Sequence, residues 1–202
     1  MRREVLEIIE REKEKYKTID THDEKVYDCG FISVNEAEYD LNNGETISRQ
    51  IIRKQGKDGS GTIIFPITKE GNVVIIVEPR VAVKGGVSVE VPAGLVEEGE
   101  DAEEVAKREL VEETGYIGEK FTKLVDYYPD EASSKSINYI YLAEGCEKKS
   151  EQHLDDDEYI STLEITIEEF AELIRLGYIR GGISITAYLA VKEYLNNDET
   201  IN

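Results

Sequence analysis

Cations are scarce in this chain. Its 202 residues carry 24 Lys and Arg against 44 Asp and Glu, a formal charge of −20, so the average surface repels a phosphate backbone and long nucleic acid is excluded as a partner. A small anionic ligand is still allowed, because a local arginine cluster or a bound cation inverts the field inside one cleft. There are only two cysteines, Cys29 and Cys146. They lie far apart in no zinc or redox spacing, which leaves two incidental thiols. The histidines, His22 and His153, are equally isolated, and read as surface residues they build no zinc site. Long apolar runs are missing as well: none approaches the ~18 residues that cross a bilayer. The basic tip Met1-Arg2-Arg3 leads into a run broken by Glu7 and Glu10, which excludes a signal h-region. A cytoplasmic protein without membrane contact is the expectation. Repeats and low-complexity segments are absent too, and the length suits one catalytic domain with an N-terminal extension.

What is present is a series of short elements. Val5, Ile8 and Ile9 among charges predict an amphipathic helix over 2–16. Strand-like runs begin at Lys25, and Asn42-Asn43-Gly44 between 31–41 and 45–54 signals a hairpin. After a polar connector, the aliphatic runs 62–67 and 73–77 read as a second, more buried hairpin. A short strand at 87–91 precedes a helix from Ala102 to Gly115, with Asp101 and Glu104 spaced as a capping box. Strands are expected at 121–128 and 137–142, a long polar loop at 145–157, a strand at 159–166, and helices at 167–176 and 184–195. Strands around a central helix, closed by two helices, make an α/β or α+β sandwich.

The central helix specifies chemistry. Glu109, Glu112 and Glu113 fall at i, i+3 and i+4, side by side on one helix face. Ala102, Val105 and Ala106 project within about 60° of Glu109 on a 3.6-residue turn, so the carboxylates point toward the core side. A cluster of negative charge there costs several kcal/mol unless something positive offsets it. Arg108 brings one charge, and a hard divalent cation is the natural remainder.

The full pattern, Gly94 and Glu100 followed by Arg108-Glu109-Leu110-Val111-Glu112-Glu113-Thr114-Gly115, resembles the Nudix box at every charged and glycine position. Tyr116 stands where that pattern usually has an aliphatic residue. The resemblance implies a Nudix-type α/β/α sandwich with a mixed sheet, preceded by an N-terminal helix and antiparallel hairpin. Residues 1–58 would form an extension for dimerisation and substrate contacts, and 59–202 the hydrolase domain. Glu90-Val91-Pro92-Ala93-Gly94, Pro129 and the final helices are similar to the ADP-ribose pyrophosphatase branch, over roughly residues 30–195.

By that resemblance Glu109, Glu112, Glu113 and the Ala93 carbonyl hold Mg²⁺ or Mn²⁺, which oxygen-only ligation favours over zinc. Leu154-Asp155-Asp156-Asp157-Glu158-Tyr159-Ile160 is similar to the stretch carrying the family's mobile catalytic carboxylate, with Glu158 first and Asp156 second. Arg108 and Glu112 join the catalytic set. Arg80 matches an arginine that grips the diphosphate, Glu90 counts among the substrate contacts, and Arg49, Arg53 and Phe31 would bracket an adenine across a homodimer interface. The implied reaction splits ADP-ribose, or a similar nucleoside diphosphate sugar, into AMP and ribose 5-phosphate. Hydrolysis of a GDP-sugar or a dinucleoside polyphosphate, and a non-catalytic ADP-ribose sensor, stay open. One departure bears on the substrate: Pro129-Asp130-Glu131-Ala132-Ser133-Ser134-Lys135 replaces the Ser-Pro-Gly and glutamate of many relatives.

Overall fold

A computed structural model describes residues 3–199. The predicted N-terminal helix is α1 (Arg3–Lys15), and Arg2 lies outside the described residues. Leu6, Ile8 and Ile9 make it amphipathic, yet none of its residues is buried. A three-stranded antiparallel sheet follows in the order β1 (Thr18–Asp28), β2 (Ile32–Leu41), β3 (Thr46–Lys54). The β2–β3 turn closes as predicted, with Gly44 at φ 88° and its N–H on Leu41 O, a backbone state open to glycine. The expected hairpin is therefore two strands of three. All eleven residues of β1 are exposed, so no period-two burial announces it, and its order comes from the ladder with β2.

The aliphatic runs centre the larger sheet. In β4 (Gly61–Thr68) and β5 (Val73–Pro79) residues of both faces are buried, as strands covered on two sides require. Then come β6 (Val87–Glu90), β7 (Ala93–Leu95), α2 (Ala102–Thr114), β8 (Tyr116–Ile117), β9 (Lys120–Tyr127), β10 (Asn138–Lys148), β11 (Ser161–Ile165), α3 (Ile167–Leu176) and α4 (Gly182–Glu199). The sheet runs β11-β5-β4-β10-β8, with β6 on β5, β7 on β4 and β9 on β10. β4 and β10 are parallel and their other pairings antiparallel, giving the expected mixed sheet.

Helices cover both faces. Ile63, Phe65, Ile140 and Leu142 pack against Phe170 of α3 and Ala187, Tyr188 and Val191 of α4. Phe170 meets Phe65 edge-on at 5.2 Å and stacks on Tyr188 at 5.5 Å. On the other face Ile64, Val74, Tyr141 and Ala143 pack against Ala106 and Leu110 of α2. Tyr116 packs there too and donates its hydroxyl to Glu164 at 2.6 Å. Burial of a side chain the size of Leu110 contributes roughly 1.5–3 kcal/mol, which fixes α2 against the sheet. The result is the α/β/α sandwich.

Two local expectations are corrected. β10 continues to Lys148, so the polar loop starts at 149 and not 145; Gly145 at φ 67° lies in a register shift between Ala143 and Cys146 that masks the strand's period. Asp101 caps α2 through the N–H groups of Glu103 and Glu104, but the Glu104 carboxylate pairs with Lys107. Only half of the predicted box forms.

Candidate active site

Pairing of β7 with β4, Ile63 opposite Ala93 and Thr62 opposite Gly94, lays a strip of backbone along the face of α2 that carries its acids. Glu113 is the most enclosed of these, 6% exposed, and accepts a hydrogen bond from the Ala93 N–H at 3.1 Å. The Glu109 side chain is 15% exposed and that of Glu112 is 39%. Two of the three carboxylates thus face inward and the third sits at the rim. Arg108 Nη1 lies 2.9 Å from both Glu109 Oε1 and Glu112 Oε2.

These groups open onto a cavity of about 770 Å³. Glu78 and Arg80 of the β5 end line it, with Asp155, Glu158 and His153 from the loop 149–160, and Phe31 and Lys54 from the N-terminal sheet. Arg80 Nη2 stands 2.7 Å from Glu78 Oε1, without hydrogen-bond alignment, and its Nε and Nη2 each lie 3.3 Å from Glu90. Glu90, itself buried, holds that guanidinium from behind.

Burial sets the proton affinities. Desolvation pushes Glu113 up to about 9, against the pull of the Ala93 N–H, and the charges of Glu109, Glu78 and Glu158 add to the rise. Glu109 is raised to about 7 by the same desolvation, with Arg108 opposing and Glu112 and Glu158 reinforcing. Glu78 is raised by burial too, partly countered by Arg80. The Glu158 charge adds to all three rises, as its place in the lining of the same cavity requires.

The donor set suits a hard divalent cation. It is all oxygen, its enclosed member Glu113 meets a backbone N–H instead of a cation, and Arg108 offsets one charge of several. Among the described residues no three such side chains are already drawn into a metal cage; Arg108 holds Glu109 and Glu112 while Glu113 is tied to β7.

The cavity gathers Arg80, Ala93, Arg108, Glu109, Glu112, Glu113, Glu158 and Phe31 from the residues singled out in the sequence. Asp156 is exposed in the loop, and Asp155 takes the cavity position, its N–H on Glu158 Oε2 at 3.2 Å. Arg53 is held by Asp58, at 2.9 and 3.1 Å, and by Asp23, while Arg49 is exposed with Nη1 on Ser48 O. Neither arginine lines the cavity of the single chain. Sequence reading passed over Glu78 and Asp155. Glu78 had a signal, an acid closing five aliphatic residues of a buried strand; Asp155 had none within its acidic run.

The NUDIX domain profile matches residues 57–181. An ADP-ribose pyrophosphatase of Bacillus subtilis (strain 168) is 30% identical over 175 residues, 85% of this chain and 92% of the relative. A methanol dehydrogenase activator of Bacillus methanolicus is 32% identical over 184 residues, 90% of this chain and 96% of the relative. Among solved structures, one described as an ADP compounds hydrolase superposes with a TM-score of 0.74 at 21% identity, over 90% of this chain and 96% of that one. At that identity it speaks for the fold.

Proposed function

This chain belongs to the NUDIX family, and we propose that the bond it cuts is the diphosphate of ADP-ribose, giving AMP and ribose 5-phosphate. Its activity is that of a pyrophosphohydrolase acting on nucleoside diphosphate sugars. The observation that carries the reading is one cavity faced by Glu78, Glu109, Glu112, Glu113 and Glu158 together with Arg80 and Arg108. A diphosphate brings two to three negative charges that must be shielded before water reaches phosphorus, roughly as in other phosphoryl transfers.

Glu109, Glu112, Glu113 and the Ala93 carbonyl would hold Mg²⁺ or Mn²⁺. When bound, such an ion neutralises phosphate charge and acidifies water. The other tasks belong to the chain. Glu158 takes the proton of the attacking water, and Asp156, which does not line the cavity, drops out as the second choice. Arg80, kept in place by Glu90, grips the diphosphate as a two-pronged donor. Arg108 balances the rim charge of Glu109 and Glu112, and Phe31 offers an aromatic face at the mouth for the base.

We assign residues 1–58 to an extension and 59–202 to the hydrolase domain, with a homodimer built through the extension. Its support is that α1 buries none of its residues and that Ile8, Ile19, Tyr27 and Phe31 of α1 and the small sheet are all exposed, apolar surface that a second copy would cover. Arg49, Arg53 and Phe31 would bracket adenine there. A cytoplasmic location is proposed too, Cys29 and Cys146 both being free thiols. Among the described residues no helix is long and apolar enough to cross a membrane.

The test is a panel of ADP-ribose, a GDP-sugar and a dinucleoside polyphosphate, each incubated with purified protein and Mg²⁺. Fastest turnover of ADP-ribose, with AMP released, is expected. Faster turnover of another diphosphate replaces the substrate, and saturable binding without turnover turns the reading into a sensor.

A further inference from the structure

Four hydrogen bonds fasten the loop 149–160 to the last turn of α2. The N–H groups of Lys149 and Ser150 donate to Gly115 O at 2.9 and 3.2 Å, that of His153 to Glu112 O at 2.8 Å, and Gln152 Nε2 to Glu113 O at 2.5 Å. The last carbonyls of a helix have no partner within it, so the loop satisfies this end of α2. Gly115 is required at the seam: it sits at φ 76°, and a Cβ there would overlap Ser150 O.

Gln152 does something the three backbone contacts do not. Its Nε2 also reaches Ile160 O at 3.2 Å and Thr162 Oγ1 at 3.3 Å. One side-chain amide therefore joins the loop's start, the loop's end and the backbone of Glu113. Enclosed between the two ends are Asp155 and Glu158, linked at 3.2 Å and both facing the cavity. The Glu113 and Ile160 acceptors are carbonyl oxygens, so the clamp needs an NH₂ at residue 152, and neither a carboxylate nor an apolar tip can supply it.

We propose that Gln152 is a positioning residue, which closes the acidic loop and sets where the Glu158 carboxylate stands relative to the Glu113 end of α2. The inference rests on the reading that Glu158 takes the proton from water. A proton acceptor works only within hydrogen-bond reach of that water, and a loop released at both ends no longer holds it there.

Two variants test this with ADP-ribose and Mg²⁺. Gln152→Glu keeps the size but turns an acceptor toward acceptors, and Gln152→Met removes the amide without adding charge. In both, kcat falls by about tenfold or more, since small misplacements are costly in a reacting geometry. KM and the calorimetric Mg²⁺ affinity stay within about twofold, as for a group that acts after binding. In a Glu158→Gln background the same substitutions cause no further loss, because residues that act through one another are not additive. Unchanged kcat, an equal loss of Mg²⁺ affinity, or losses that multiply in the double variant would overturn the proposal. Full turnover by Gln152 variants beside a slow Glu158→Gln removes the positioning role alone. Full turnover by Glu158→Gln removes the base and the positioning role with it.

Discussion

Gly94 and Glu109 share one space: a Cβ on Gly94 would overlap the Cγ, Cδ and Oε1 of Glu109. The acid therefore reaches the cavity across a stretch of β7 that has no side chain. Gly94→Ala forces Glu109 to turn away, and a glutamate tip moves at little cost to the fold. We expect Mg²⁺ affinity and kcat/KM to fall by about tenfold or more, as when a placed ionic group is lost, while the melting temperature shifts by no more than a few degrees. Calorimetry with Mg²⁺ decides; unchanged affinity would remove Glu109 from the metal set.

Glu113 is a carboxyl placed where charge is expensive, 6% exposed and pushed to about 9. Glu113→Gln keeps an oxygen for the Ala93 N–H and removes the carboxylate. Turnover of ADP-ribose should drop by at least about a hundredfold, with the metal-free protein as stable as the parent or more so, since at neutral pH the parent's unfolded chain gains by releasing the proton that buried Glu113 holds, and the amide has none to release. An unchanged rate in steady-state assays counts against the whole assignment.

Much of this was legible in the residues because helix period and box spacing are both short-range. The i, i+3, i+4 acids and the Asp101 and Gly115 caps place Glu109 and Glu113 on the inner face without knowledge of the rest. What the chain hid depends on distant partners. β1 has no buried residue and is ordered by β2. Arg53 reads as a free cation until Asp23 and Asp58 close on it. Whether Asp155 or Asp156 reaches the cavity depends on how the loop is fastened to α2, through contacts such as that of Gln152 with Glu113 that no local pattern announces.

Stability should depend on pH in a direction set by burial. Glu109 and Glu113 have folded-state values of about 7 and about 9, above the ordinary 4.5. Below that ordinary value both folded and unfolded chains are protonated and nothing is lost. As pH rises from about 4.5 toward about 9, the unfolded chain gives up protons that the folded one retains, so stability falls. The slope is steepest below about 7, where both groups contribute. Melting curves of chelator-treated protein across that range should show the decline. Glu113→Gln should flatten it, which separates this effect from the general repulsion of a −20 chain. Equal slopes in parent and variant would mean that Glu113 titrates like an exposed acid.

Arg80 is held in a vice of two acids, 2.7 Å from Glu78 and 3.3 Å from Glu90, and under the proposed role an incoming diphosphate would compete for the same fork of donors. Arg80→Lys keeps the charge and loses the paired geometry. KM for ADP-ribose should rise about tenfold, which corresponds to roughly 1.4 kcal/mol, with kcat altered much less. Arg80→Ala should raise KM further and lower the melting temperature too, because Glu90 is then left buried without its cation. If the lysine variant matches the parent in KM, the guanidinium holds Glu90 and Glu78 in place and does not touch the substrate.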